Sequence, residues 1–238
     1  MRAGMILLFL LSSVFAVSGQ SIRALQIFEK GTEASRADDH ANAKRHFEET
    51  LRIIEHEGAG DRFFAKVHYN LGVSNYHLRD LGSAAVQLEK AIGLIPRGYE
   101  KAYYALGLIR TNLGEWPAAE QAFRKAIALN DRNGEAWFDL AFVYVAQGSD
   151  VDAQKAFGKA IKHGTTELAI SHNNLGALLA NQGRYNEAMP HFETAARLAS
   201  NLKTASANLE KCRERAGKSD LIALTAFALA RRSDLANL

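Results

Sequence analysis

Eight histidines, one cysteine and two adjacent acid pairs are the side chains of this 238-residue chain best suited to chemistry. A catalytic zinc site needs histidines one helical turn apart with a further ligand. His40, His46, His56, His68, His77, His163, His172 and His191 offer no such pair with a carboxylate partner, and H-E-x-x-H is absent. Cys212 stands alone, which excludes an intramolecular disulfide and a thiolate cluster. No G-x-S-x-G elbow, phosphate-binding Walker loop or G-x-G-x-x-G turn opens a helix. Asp38–Asp39 and Glu48–Glu49 read as solvated turns and faces, not as acid/base pairs. The sequence therefore predicts no catalytic residue, no metal and no cofactor, and the chain is expected not to be an enzyme.

Charge narrows the classes further. The chain has 29 Lys and Arg against 26 Asp and Glu, a formal charge of +3. The two signs are interspersed and no basic run exists, so nucleic acid is not an expected partner. Hydrophobic residues make up 47% and charged residues 23%, an ordinary globular balance. Only 3 prolines occur against 18 glycines at recurring places, which favours helices joined by short turns.

Those places define a repeat. Gly31, Gly72, Gly107, Ala141 and Gly176 share one register, the last four spaced 35, 34 and 35 residues apart. Twelve residues after each stands an alanine: Ala43, Ala84, Ala119, Ala153 and Ala188. Four further on comes a large apolar side chain, Phe47, Leu88, Phe123, Phe157 or Phe192. Three later comes a small residue, Thr50, Ala91, Ala126, Ala160 or Ala195. Each unit reads as two short helices. In the third, the spacing predicts one over Glu100–Leu113 and another over Trp116–Leu129, with Pro117 at an early position that tolerates a missing N–H. Gly114, Gly148 and Gly183 punctuate the turns. The small residues let two helices approach closely, and the large residue of the second helix fills the space between them.

The pattern resembles the tetratricopeptide repeat, with its period near 34 and W-x₂-L-G-x₂-Y…A-x₃-F…P signature. The matches include His68-x₂-Leu71-Gly72, Tyr103-x₂-Leu106-Gly107, Trp137-x₂-Leu140-Ala141 and His172-x₂-Leu175-Gly176, with Tyr144 and Pro96 in the Tyr and Pro slots. The resemblance implies an all-α, right-handed α-solenoid of about five helix pairs. The repeats are placed at 24–57, 65–98, 100–133, 134–167 and 169–202. The first is degenerate, with Lys30 where Leu is usual, and an insertion near Gly58 to Phe64 follows it. His68 and His172 fall in the aromatic slot, where packing is their expected role.

In repeats of this kind the first helix of each pair lines a concave groove that holds a partner's peptide or helix. Helical spacing then selects the inward residues: Lys66, Tyr69, Asn70, Val73, Tyr76 and His77 in the second repeat, and Lys101, Tyr104 and Leu108 in the third. The fourth and fifth supply Phe138, Asp139, Phe142, Asn173 and Asn174. Tyr69, Tyr104 and Phe138 form an aromatic register that would anchor a partner, or pack against the neighbouring repeat. Asn70, Asp139 and Asn174 form a second register, from which an amide would bond a peptide backbone. A protein or peptide partner is expected, and no small-molecule substrate.

The two ends read differently. Residues 1–19 show Arg2, an apolar run from Met5 to Val17 and small residues Ala16, Ser18 and Gly19, the pattern of a secretory signal peptide. An exported protein, periplasmic or secreted, is expected. Were the run left uncleaved, the chain would be a membrane-anchored accessory or assembly factor of a cell-envelope complex. At the other end, 203–216 reads as a polar capping helix. Residues 219–232, with the apolar stretch LIALTAFALA and then Arg231 and Arg232, read as a last apolar helix. That helix would pack on the solenoid edge, bind a partner or fold back into the groove.

Overall fold

The computed structural model describes residues 22–215. Residues 1–19, expected to be a signal peptide, and residues 219–232, expected to be an apolar helix, lie outside them. Every regular element among the described residues is a helix. In chain order these are α1 (residues 22–36), α2 (His40–Glu57), α3 (Asp61–His77), α4 (Leu81–Gly93), α5 (Glu100–Asn112) and α6 (Trp116–Leu129). They continue as α7 (Gly134–Ala146), α8 (Asp150–His163), α9 (Leu168–Asn181), α10 (Tyr185–Leu198) and α11 (Lys203–Glu214). The architecture is all-α, built of stacked helix pairs of the tetratricopeptide solenoid type. The chain divides into two compact units after Ile109, inside α5.

Each turn between paired helices has a local cause. Backbone with positive φ reverses the chain at Gly114, Gly148 and Gly183, with φ of 72°, 71° and 75°. The same place in the first two pairs is held by Asp38 and Arg79, with φ of 57° and 65°. Asp39 and Asp80 then cap α2 and α4, their carboxylates accepting the N–H of Asn42 and Ser83 at 3.1 Å. Side-chain and backbone hydrogen bonds from Ser83 hold the Asp80 carboxyl below its usual range, and backbone and side-chain bonds from Asn42 do the same for Asp39. Pro117 lies in the first turn of α6, as its missing donor allows.

In the first unit α3 packs on α2 and α4. Phe28 of α1 meets Phe47 and Phe63 at ring distances of 5.4 and 5.5 Å, over Leu51, Ile54, Val67 and Leu71. In the second unit α6 to α11 pack in succession around Phe138, Phe142, Phe157, Leu178 and Phe192. The repeat register explains both cores. All fifteen side chains of its alanine, large and small positions are fully buried, at 0% exposure. A Cβ on Gly31 would stand 2.6 Å from the Phe47 ring, and one on Gly176 would stand 2.9 Å from Phe192. The glycines are therefore sockets for the large residue of the second helix.

Two boundaries differ from the sequence expectation. The insertion before the second repeat is partly helical: Asp61 to Phe64 extend α3 by a turn at its N-terminus, which places Phe63 against Phe28. The capping helix runs Lys203–Glu214, slightly shorter than expected.

Candidate functional site

A groove of about 890 Å³ runs between α1 and α3 in the first unit. Residues from both helices line it, and their chemistry changes along its length. Leu25, Phe28 and Phe63 form an apolar end. Glu29, Thr32, Glu33, Tyr69 and Asn70 form the middle, and Arg36, Asp38, His40, Val73 and His77 the far end. Five residues expected from sequence, Lys66, Tyr69, Asn70, Val73 and His77, are thus gathered here. The α1 half of the groove was not expected, since the first repeat is the degenerate one.

Several polar groups on this surface are already committed. The Lys66 ammonium sits 4.9 Å from the Phe28 ring centroid, a cation–π contact. Asn70 donates its Nδ2–H to the Lys66 carbonyl at 2.7 Å. His40 and His77 stack at 4.0 Å with their planes 9° apart, and Asp38 lies 3.8 Å from His40 Nε2. Burial, and then the neighbouring His40, push the His77 pKa down, with Asp38 partly opposing. Three buried polar atoms have no hydrogen-bond partner: Tyr69 Oη, His40 Nδ1 and His77 Nε2. Buried polar atoms are nearly always paired in folded proteins. Tyr69 is only 4% exposed, lies 5.2 Å from Tyr99, and its hydroxyl pKa is raised mainly by burial.

The remaining expected residues lie elsewhere. Tyr76 is buried edge-on to His77 and does not line the groove. Lys101 is exposed on α5, whereas Tyr104 and Leu108 are buried. In the second unit, Phe138 and Phe142 meet each other edge-on at 4.9 Å and Phe157 edge-on at 6.1 and 5.5 Å. They are core residues, and Asp139 is buried beside them. Asn173 and Asn174 are buried in a ladder: Asn208 of α11 donates to Asn173, which donates to Asn174. The amides of the fifth repeat hold the capping helix. The aromatic register corrects in the same way, because the side chains whose spacing points inward are largely consumed by packing of neighbouring helices.

The histidines in the aromatic slot pack as expected. His68 donates from Nδ1 to Gln87 at 2.7 Å, and His172 meets His191 Nδ1 to Nδ1 at 2.9 Å. Burial lowers the pKa of all three histidines, and His172 reaches about 4. Among the described residues no group of three or more His, Cys, Asp or Glu is placed to hold a metal ion. No described helix is long and apolar enough to cross a membrane.

Comparison with known proteins gives the same class. Tetratricopeptide-repeat family models match residues 111–170 and 169–202. The chain is 26% identical over 183 residues to the TPR repeat-containing protein MJ1428 of Methanocaldococcus jannaschii, 73% of this chain and 30% of that one. It spans less than a third of the length of the curated relatives it matches. Among solved structures, MamA superposes with a TM-score of 0.63 at 22% identity, covering 74% of this chain and 92% of MamA. YrrB, described as a TPR protein with an unusual peptide-binding site, superposes with a TM-score of 0.65 at 17% identity over 83% and 97% of the two chains. At such identities the likeness carries the fold.

Proposed function

We propose that the protein is a non-catalytic interaction scaffold that binds a peptide or helix of a protein partner in the α1–α3 groove. The observation that carries this reading is the groove itself. Leu25, Phe28 and Phe63 form an apolar end and Thr32, Arg36 and Asn70 add polar side chains along the same groove, so a guest segment would find both burial and hydrogen bonds there. The peptide-binding site of YrrB, a protein of the same fold, supports this reading. The signal-like residues 1–19 place the scaffold, in this reading, outside the cytoplasm, and the N-terminal sequence of the mature chain tests that placement.

The binding test uses rim residues. Replacing Tyr69, Tyr104 and Phe138 would test folding, because all three are buried. Leu25 and Thr32 lie on the groove wall of α1 with less core packing. The full chain carrying Leu25→Asp and Thr32→Arg should keep its helicity and lose the partner captured from host envelope and secreted fractions. Unchanged capture by the folded double variant would refute the groove as the binding face.

A further inference from the structure

The charges around the groove are not equivalent. Lys66 is held over Phe28, and Asp38 faces His40. Glu29 and Glu33 remain. They lie one turn apart on α1, both line the groove, both are exposed, and neither has an ion pair among the described residues. One guanidinium, Arg36, stands further along the same helix. Lys66 keeps its charge over the neutral Phe28 ring, so the groove carries three carboxylates, Glu29, Glu33 and Asp38, against two cations, Lys66 and Arg36, and the C-terminal end of the α1 dipole adds partial negative charge. Beside the carboxylates lies apolar surface: Phe28 and Phe63 in the wall, and Leu25, a large hydrophobic side chain left 47% exposed.

From this geometry we infer that the groove selects a partner segment carrying a lysine or arginine close to an apolar side chain. The inference rests on the groove being a peptide site. The apolar residue packs on Leu25, Phe28 and Phe63, and the cation lies between Glu29 and Glu33. Thr32 and Asn70, polar side chains of the same groove wall, offer hydrogen bonds to the segment's backbone. Along α1 the centre of the apolar pair Leu25 and Phe28 is roughly 7 Å from that of the carboxylates, at 1.5 Å per residue. An extended peptide covers that in about two residues. A cation bound against an apolar wall interacts more strongly than one in open water, so the carboxylates contribute to selectivity as well as to encounter rate.

The test uses the full chain and a cellulose-bound array of ten-residue Ala/Ser host peptides. Each carries a Phe-Leu pair and, at one to five residues' distance, a Lys, Gln or Glu. Capture of the Lys peptides should exceed that of the Gln peptides by about five- to tenfold at low salt, with the Glu peptides weakest. The preference should peak near a two-residue spacing and shrink as salt rises. Glu29→Gln with Glu33→Gln should bring Lys and Gln peptides to parity. Glu29→Lys with Glu33→Lys should reverse the order. Thermal unfolding checks that these exposed substitutions leave the fold intact. Equal capture of Lys and Glu peptides, a preference for Glu, or a Lys preference surviving in the Gln variant would overturn the inference and leave the groove reading standing. Capture of no peptide at any spacing or charge would overturn both.

Discussion

The glycine sockets make one substitution change sign with position. Gly176 of α9 faces Phe192, and a Cβ there would lie 2.9 Å from the ring and 3.2 Å from the Ala188 carbonyl oxygen. Phe192 is fully buried and the carbonyl is backbone, so neither retreats cheaply. Overpacking of this kind costs about 1–3 kcal/mol. Replacing a helical glycine by alanine returns about 1 kcal/mol of backbone entropy. Gly176→Ala should therefore destabilise by about 1 kcal/mol. Gly158, inside α8 of the same unit, has nothing within 4 Å of its added Cβ. Gly158→Ala should gain about 0.5–1 kcal/mol. The two variants should then unfold about 4–8 °C apart, the glycine-socket variant lower. Circular dichroism at the helical band during heating measures it. Gly31→Ala, with its closer 2.6 Å approach to Phe47, should be worse than Gly176→Ala, and Phe47→Leu should partly rescue it, since Leu88 fills the same place in the next pair. A Gly176→Ala protein as stable as Gly158→Ala would refute the reading of these glycines as sockets.

Other expectations follow from particular residues. Arg79 holds a positive φ that glycine holds in three later turns, so Arg79→Gly should raise stability by about 0.5–1 kcal/mol, read from urea unfolding. Burial lowers the pKa of His68, His77, His172 and His191. The unfolded chain thus takes up protons near pH 6.5 that the folded chain refuses. Stability is complete above that pH and falls as pH drops toward about 4, the His172 value. The melting temperature should decline from pH 7.5 to 5, and His172→Gln should flatten the slope. Cys212 is fully buried in α11, with its thiol pKa pushed up by burial and its sulfur 3.6 Å from the Tyr185 carbonyl. It should resist thiol reagents in the native chain and react fully in urea, and prompt native labelling would show α11 to be undocked.

Much of the fold was legible because the repeat writes each contact several times. A small residue, an alanine twelve positions later and a large side chain four further on appear in five registers, and each register maps onto a buried helix–helix contact. The turn glycines were legible for the same reason, and Asp38 and Arg79 were not, because their types do not announce a positive φ. The extension of α3 to Asp61 escaped detection because the residues before the second repeat match no register. Their aromatic Phe63 is explained only by Phe28, a contact across α1 and α3 that no local pattern encodes.

The candidate site was half legible, for a physical reason. Helical spacing tells which way a side chain points but not what stands opposite it. Phe138 and Asn173 were expected to face the groove and instead meet Phe157 and Asn208 in packed interfaces. Tyr69, in the register of Phe138, lies beside the α1–α3 groove and keeps an unpartnered hydroxyl. Identical register thus gives a core residue in one pair and a wall of the groove in another, according to whether a facing helix has already filled the space. The residues that decide specificity are then the ones with no register at all. Glu29 and Glu33 belong to the repeat that departs most from the family pattern, and that departure frees their positions from packing. A degenerate repeat is where a scaffold of this kind has room to carry chemistry of its own.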